Sequence, residues 1–463
     1  ITGSASDRIS FRVAVGEDSI SMAESGKGAY EYFLNSPGIF LVRHAPGRPV
    51  PHTRYFWRVE QLAGNGKMIS ASPVASFETG MLDASNWKAG WIYDGKSIEY
   101  KPAPFFRKEF SIDGEVKAAR AYIAAAGLFE LSVNGKKVGD SHLDPMYTAF
   151  DKRILYVTHD ITSYLCQGGN AAGLVLGNGW YNHQSTAVWF FDKASWRGRP
   201  RVMAELHIEY TDGRRDIVVT DTSWKSTDSP VIFNSIYTAE HYDARKELPG
   251  WDSSGYGDST WENALAAVAP TQNIVSQQMC PVRITDTLTP IKTVKVNERL
   301  YRFHFARNIA GIADLRIKGK RGTQLRIKHS EKINPDGSLN MANIDYHFRP
   351  TDDSDPFQTD IMILSGGDDH FRPRFNYKGF QYVCITAGGP IEISEGDLLA
   401  LELHSDVPVI GRIDSSNETI NRIHLAGRSS YLANLFGYPT DCPQREKNGW
   451  TGDGHFAIET GLY

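Results

Sequence analysis

Short β-prone segments separated by turn signals occupy almost the whole chain before Arg412, and this pattern most constrains the fold. Residues 105–110 and 129–133, for example, are rich in the aromatic and branched side chains that favour strands. Glycine-containing dipeptides typical of tight turns lie between such segments. They include Asn65-Gly66, Asn134-Gly135 and Asp212-Gly213. The sequence therefore predicts a multidomain protein built mainly from β-sandwich or jelly-roll domains.

The β pattern divides into three regions. Residues 1–80 are typical of a fibronectin-type or immunoglobulin-like sandwich, with Trp57 predicted as its core aromatic. A linker follows at 81–85, and residues 86–265 have the many short strands of a jelly-roll domain. Residues 270–408 form a third β-sandwich region. A chain of 463 residues is long enough for three or four domains of this kind.

After Arg412 the periodicity becomes helical. Ser415 and Glu418 have capping-box spacing, and apolar residues then recur near the helical period, which predicts a helix over residues 415–436. A second helix is predicted to begin at Asp453. The connection between the two helices is polar and is broken by Pro and Gly, so rigid elements can aim its side chains into one cavity.

This connection, residues 441–453, concentrates the residue types that hydrolytic chemistry needs. It contains Asp441, Glu446 and Asp453, together with Arg445 and Trp450. Taken singly, each has an ordinary structural interpretation: the arginine pairs with the first aspartate, the glutamate flanks a helix, and the tryptophan fills a core. Glycoside hydrolysis instead requires one carboxylic acid to protonate the leaving oxygen and a second group to activate water. The combination favours a site.

The string of residues 441–453 resembles the signature of bacterial α-L-rhamnosidases of glycoside hydrolase family 78. Weaker similarities to the same family occur at residues 131–139, 177–181 and 302–311. The resemblance implies that residues 412–463 are the first helices of an (α/α)6 catalytic barrel that is incomplete at the C-terminus of this chain. It also implies that the upstream β regions are the domains preceding that barrel.

The resemblance assigns a role to each polar residue of the segment. It implies that Glu446 is the general acid, that Asp441 and Asp453 hold sugar hydroxyls, and that Arg445 and Trp450 lie close by in the pocket. The expected reaction is the inverting release of terminal α-L-rhamnose from glycans, polysaccharides or glycosides. The water-activating carboxylate is then expected beyond Tyr463. No cofactor is implied, and the localisation of such enzymes is periplasmic or extracellular.

Two other functions stay open. An (α/α)6 barrel does not fix the sugar, so a glycosidase for another substrate is one alternative. A non-catalytic carbohydrate-binding β protein is the other. Residues 177–201 interleave aromatic and polar side chains, which suits sugar stacking, but packing between domains is the favoured interpretation, with the loop bordering the active-site mouth. His183 within it is interpreted as a hydrogen-bonded loop histidine, not a metal ligand.

Composition excludes several classes of partner. The net charge of -4 and a pI near 6.4 argue against nucleic acid or an anionic membrane. No apolar run of about 18 residues is present, so no membrane insertion is predicted. The 4 cysteines show no zinc spacing and no expected disulfide. The acidic stretch from Asp352 to Asp369 is interpreted as solvated loops, not a calcium site. The chain opens at Ile1, so we expect that an upstream segment has been removed.

Overall fold

The chain divides into two units, Ile1–Trp87 and Lys88–Tyr463, in the computed structural model. The structure describes residues 10–25, 30–34, 49–185, 189–345 and 356–462. The predicted predominance of β-structure is confirmed in both units. Three aspartates of the acidic stretch, Asp352, Asp353 and Asp355, lie outside the described residues, as do residues 186–188 of the aromatic segment.

The first unit contains one antiparallel sheet. Its central strand, Arg54–Leu62, pairs with Ser10–Gly16 on one side and with two later strands, Met68–Ala71 and Ala75–Glu78. Ser10–Gly16 also pairs with Tyr30–Leu34. A short helix spans Ser19–Ser25. The predicted turn at Asn65-Gly66 connects two of these strands, and Gly66 adopts a φ of 80° there.

The buried face of the central strand carries charge. Glu60 is fully buried and accepts hydrogen bonds from Arg12 Nε at 2.7 Å and Arg58 Nε at 2.9 Å. Because strand side chains alternate between faces, Trp57 points away from the face that buries Arg58 and Glu60. Trp57 is only partly buried, so the prediction that it is the core aromatic was wrong.

Two sheets of the second unit enclose one hydrophobic core, which contains Phe106, Ile123, Leu174 and Trp224. One sheet has the strand order Lys136–Lys137, Leu128–Val133, Gly168–Gly177, Pro104–Ile112, Lys225–Asp228, Glu262–Asn263. The other has the order Leu265–Ala266, Ile92–Tyr93, Arg201–Tyr210, Val116–Ala126, Ile154–Asp160, Ile274–Ser276, with Arg215–Val219 beside Arg201–Tyr210.

A third, larger sheet includes strands that are far apart in the sequence. Glu240–Asp243 pairs in parallel with Thr359–Ile363, and Ser141–His142 pairs with Val282–Leu288. Strands from residues 86–265 therefore complete the sheet of residues 270–408. Its strand order is Ser141–His142, Val282–Leu288, Leu398–Ser405, Leu300–Lys318, Lys378–Ala387, Gln324–Ser330, Thr359–Ile363, Glu240–Asp243, Val231–Asn234, with Lys292–Asn297 and Asp368–Phe371 beside Leu300–Lys318. A separate small hairpin pairs Lys332–Ile333 with Leu339–Asn340.

The two predicted helices are present with shorter bounds. The first spans Glu418–Leu432, and its cap is Asn417, whose side chain accepts from Thr419 N. The predicted cap Ser415 instead accepts a hydrogen bond from Asn417 N, one turn earlier. The second helix spans Thr451–Ala457. A four-residue helix, Ala342–Asp345, and short 3-10 turns complete the helical structure that the described residues show.

Buried charges lie where the strand Glu240–Asp243 joins the large sheet. Asp360 Oδ1 accepts from Glu240 N at 2.8 Å and from Lys378 Nζ at 2.7 Å. Glu240 Oε2 accepts from the backbone N–H groups of Arg374 and Phe375, each at 3.0 Å. Both carboxylates and the lysine are fully buried. This junction of the two β regions therefore depends on polar contacts in a low-dielectric environment.

Replacement of Lys378 by Met should lower the free energy of unfolding by about 3–5 kcal/mol, because it leaves the buried Asp360 carboxylate without its cation. The matched control is Lys318→Met. Lys318 pairs with Asp368 at the same 2.7 Å, but both side chains are more than 70% exposed. In urea denaturation, we expect the control to lose about 0–1 kcal/mol of its free energy of unfolding. Equal losses in the two variants would contradict the assignment.

Glu240→Gln should change how stability depends on pH. Burial raises the pKa of the Glu240 carboxyl to about 8, from a usual value of 4.5. The folded state thus holds a proton that the unfolded chain releases, and this stabilisation is lost as pH rises toward 8. Glutamine does not titrate. The variant should gain more than about 1.4 kcal/mol relative to the parent between pH 5 and pH 9 in urea denaturation; a pH-independent difference would refute this.

Candidate active site

The segment after the first long helix is tied to the end of the strand Leu398–Ser405 in the large sheet. Ser405 N donates to Leu435 O and Gly437 N donates to Ser405 Oγ, both at 2.7 Å. Gly437 has a φ of 82°, and a Cβ there would lie 2.5 Å from Met146 Sδ. Glycine is therefore required both by the backbone and by the contact. The chain leaves the helix at a fixed angle and runs across the β-structure.

Lys447 attaches the segment 441–453 to the β-structure on which it packs. Its side chain is buried, and Nζ donates to Ile236 O at 2.8 Å and to Tyr377 O at 2.5 Å. Burial, together with the nearby Lys378, holds the pKa of the Lys447 ammonium well below its usual value. Lys447 also has a φ of 55°, a left-handed conformation that reverses the chain locally. These contacts connect the segment to carbonyls from both β regions of the unit.

The backbone of the segment also lies directly on the sheet. A Cβ added to Gly379 would lie 2.9 Å from Gln444 Cβ and from Pro443 Cγ. The neighbouring Tyr377 ring stacks on Phe436, with ring centroids 3.8 Å apart. Close packing thus fixes the distance between residues 436–447 and the strand that begins at Lys378.

Hydrogen bonds to the Cys442 sulfur link Asp441 with the backbone of Glu446. Asp441 Oδ1 accepts from Asn448 N at 3.0 Å, and its Oδ2 accepts from Cys442 Sγ at 2.8 Å. The same sulfur accepts from Glu446 N at 3.4 Å. Burial and the Asp441 carboxylate raise the pKa of the Cys442 thiol, so it is a protonated donor. The loop closes on itself, and this fixes the backbone position of Glu446.

The Glu446 side chain is partly exposed, and among the described residues its one hydrogen bond comes from Trp450 Nε1 to Oε2 at 3.1 Å. Because the two residues are four positions apart, the indole orients the carboxyl at the start of the helix Thr451–Ala457. Glu446 is therefore held by its backbone on one side and by an indole on the other. Its other oxygen is available to a ligand.

The remaining predicted residues are less constrained. Asp453 is exposed in the first turn of the second helix. Arg445 is partly buried, and its Nε has no hydrogen-bond partner in the part of the chain that the structure describes. It makes no ion pair with Asp441 within that part. The structure thus brings together Asp441, Glu446 and Trp450, and does not link the other two residues to them by hydrogen bonds.

A cleft of about 660 Å³ opens beside Trp450. Trp189 contacts Trp450 edge to face, with ring centroids 5.0 Å apart, and lines the cleft beside it. Among the described residues, the lining includes neither Glu446 nor Asp441, but it includes positions on both sides of Asp453. The lining residues are Tyr147, Thr148, Arg153, Trp189, Phe191, Met279, Gly437, Tyr438, Pro439, Asn448, Gly449, Trp450, Thr451 and Gly454. We call it the aromatic cleft.

The aromatic segment 177–201 has two parts with different roles. Trp180 is buried and contacts Tyr147 at 6.0 Å, and Tyr147 in turn contacts Tyr438 at 6.1 Å. This part packs between elements, as the favoured interpretation predicted. Trp189 instead lies at the aromatic cleft, about half exposed. His183 is buried, and neither ring nitrogen has a hydrogen-bond partner among the described residues, so the interpretation of a hydrogen-bonded histidine was wrong.

The sequence did not indicate the anchoring role of Lys447. Lysine is almost never fully buried without a partner, so its position in a polar segment predicts a solvated side chain. Tyr147 was not singled out either, because it lies almost 300 positions before the segment 441–453. Among the described residues, no group of three His, Cys, Asp or Glu side chains is placed to hold a metal ion, and no helix is long and apolar enough to span a membrane.

Three models of bacterial α-L-rhamnosidase domains match consecutive parts of the chain. The N-terminal domain model matches residues 114–286, the concanavalin-like domain model matches residues 294–404, and the six-hairpin glycosidase domain model matches residues 408–463. The last match includes the whole segment 441–453.

Similar proteins carry the same family name. An α-L-rhamnosidase of Formosa agariphila is 31% identical over 89% of this chain and 45% of its own length. The solved structure of an α-L-rhamnosidase from Dictyoglumus thermophilum is 33% identical, with a TM-score of 0.88 over 99% of this chain and 52% of that one. The structure of an Aspergillus terreus α-L-rhamnosidase is 28% identical, with a TM-score of 0.81 over 97% and 51% of the two chains.

The chain spans about half the length of the curated relatives that it matches. Within that span, the family models follow one another in order from residue 114 to residue 463. The motif at residues 441–453, the β-rich fold and the similarity to the solved structures all indicate the same family. The chain belongs to the bacterial α-L-rhamnosidase family.

Proposed function

We propose that the protein is a glycoside hydrolase that releases terminal α-L-rhamnose from glycans or glycosides. The observation that carries the proposal is the rigidly held segment 441–453, in which Glu446 is fixed beside an aromatic cleft. Preorganised acidic groups next to an apolar wall are what a glycosidase site requires. The names of the similar proteins support rhamnose as the sugar.

Glu446 is the general acid in this proposal. Its carboxyl is near the surface, so it can reach a glycosidic oxygen, while the Trp450 N–H and the Cys442 sulfur limit its motion. An acid that is already held in one orientation needs little reordering to reach the reactive geometry. This orientation contributes to catalysis. The proton goes from the carboxyl to the bridging oxygen as the C–O bond breaks.

Asp441 and Asp453 hold sugar hydroxyls in the proposal. Asp441 already accepts from Asn448 N and Cys442 Sγ, and a carboxylate has lone pairs left for further donors. Asp453 is exposed and has both oxygens available. Arg445 contributes an N–H donor beside them, since its Nε has no partner among the described residues.

The aromatic cleft suits a deoxyhexose. Trp450 and Trp189 present ring surfaces, and Tyr147 and Phe191 extend the apolar wall. Rhamnose has a methyl group where most hexoses have a hydroxymethyl group, and an apolar wall favours the methyl because it desolvates no hydroxyl.

The remaining parts of the mechanism are proposals by family. We propose that the helices Glu418–Leu432 and Thr451–Ala457 begin an (α/α)6 barrel, and that a carboxylate beyond Tyr463 activates water. An inverting reaction would place that carboxylate roughly 6.5–9.5 Å from Glu446, which leaves room for the water. We further propose that the protein acts outside the cytoplasm.

Glu446→Gln in the enzyme with its complete barrel should lower kcat on 4-nitrophenyl α-L-rhamnopyranoside by at least about 100-fold, because glutamine has no proton to donate. KM should change little, since the amide keeps the Trp450 contact. The matched control is Glu459→Gln, an exposed glutamate in the same helical region. Near-normal turnover by the Glu446 variant, or an equal loss in the control, would exclude the assignment.

A further inference from the structure

A second cleft, of about 900 Å³, lies elsewhere in the same unit. Its lining residues, as far as the structure describes them, do not overlap with those of the aromatic cleft. One wall comes from residues 130–142 and the other from residues 365–374, so the cleft lies where the jelly-roll sheets meet the large sheet. Ligand sites favour such junctions and have volumes of about 300–1,000 Å³. We call it the arginine cleft, after Arg283, Arg372 and Arg374.

Carboxylates hold these arginines in place without using all their donors. Arg372 donates from Nε and Nη2 to Asp314, at 3.1 and 2.9 Å. Arg374 donates from Nη1 to Glu130 at 2.6 Å. A guanidinium has five N–H donors, so each arginine keeps at least one nitrogen without a partner in the described part of the chain. Both side chains are about 40% exposed, and their free donors can reach a bound molecule.

His142 places a further polar group in the cleft. It lines the cleft and is only 7% exposed, and its ring nitrogens keep access to solvent, so they can reach a bound molecule. Burial, and then the charge of Lys137, lowers the pKa of His142 to about 4, so the ring is neutral at pH 7. A neutral imidazole offers one donor and one acceptor.

The charges of the lining decide the chemistry of the ligand. Four cations line the cleft: Lys137, Arg283, Arg372 and Arg374. Five carboxylates face them: Glu130, Asp140, Glu247, Asp368 and Asp369. Because the acidic groups balance the cations, an anion gains no net attraction here. Fixed donors alternating with fixed acceptors match hydroxyl groups, each of which both donates and accepts.

We propose that the arginine cleft is a binding site for a neutral pyranose sugar, separate from the site at Glu446. The inference rests on the proposed function only for the expectation that this sugar belongs to the same glycan. Arg372 and Arg374 donate to adjacent hydroxyls, the carboxylates accept from them, and His142 hydrogen-bonds at the base of the cleft. A glycan could thereby be held at two places.

The test is saturation-transfer NMR on the purified protein, titrated at pH 7 with L-rhamnose, D-galactose and D-glucose. We expect at least one of them to bind, and His142→Phe to weaken that binding about tenfold or more, since phenylalanine keeps a ring but has no nitrogen. Arg372→Ala should do the same. Arg214→Ala is the matched control, because Arg214 pairs with two carboxylates at a turn that does not line the cleft.

Trp450→Ala separates the two clefts, because it alters only the aromatic cleft. It should leave in place the sugar binding that His142→Phe weakens. Phenylalanine keeps an aromatic ring at this buried position, so His142→Phe should keep the urea midpoint of the parent. Absence of binding by all three sugars, binding insensitive to His142→Phe, or binding of inorganic phosphate without any sugar would overturn the proposal. If the protein with its complete barrel releases no rhamnose but still binds a sugar in the arginine cleft, only the proposed function is refuted.

Discussion

The buried amino group of Lys447 fixes the segment that carries the candidate site. Moving its polar N–H groups out of water is costly, and this cost is offset by two carbonyl acceptors and by the ring of Tyr377, which lies 4.4 Å from Nζ. Because one carbonyl belongs to Ile236 and the other to Tyr377, the lysine satisfies its donors only when both β regions are in place. The adjacent Glu446 is consequently positioned by residues that lie 70 and 211 positions before Lys447 in the chain.

Polar contacts join the β regions in the same way. Glu240 is fully buried and accepts from the backbone of Arg374 and Phe375, while Arg374 reaches Glu130 on the other wall of the arginine cleft. Such contacts are directional, so they fix one register between the sheets more strictly than apolar packing does. Arg374 lines the arginine cleft, and Tyr377, three residues later in the chain, accepts from Lys447 below the candidate site.

Local patterns predicted most of the strands and turns. At one predicted turn, for example, Asn134 and Gly135 adopt the two positive φ angles, 52° and 77°, that a tight hairpin needs. They did not predict that Glu240–Asp243 pairs in parallel with Thr359–Ile363, because pairing between distant strands leaves no local signal. The motif predicts where the site lies. It did not indicate the burial of Lys447 or the part of Trp189 in the cleft, since both depend on tertiary contacts. The catalytic role of Glu446 stays a prediction.

The contact between Gly379 and the Pro443-Gln444 backbone has a consequence for engineering. The gap between sheet and loop is narrower than a single methyl group would permit, so the loop is not a portable module. Grafting it onto another scaffold would require transferring the glycine, the ring of Tyr377 and the carbonyl of Ile236 together. Variation is better placed at Trp189, a half-exposed side chain of the aromatic cleft, where no such fit has to be preserved.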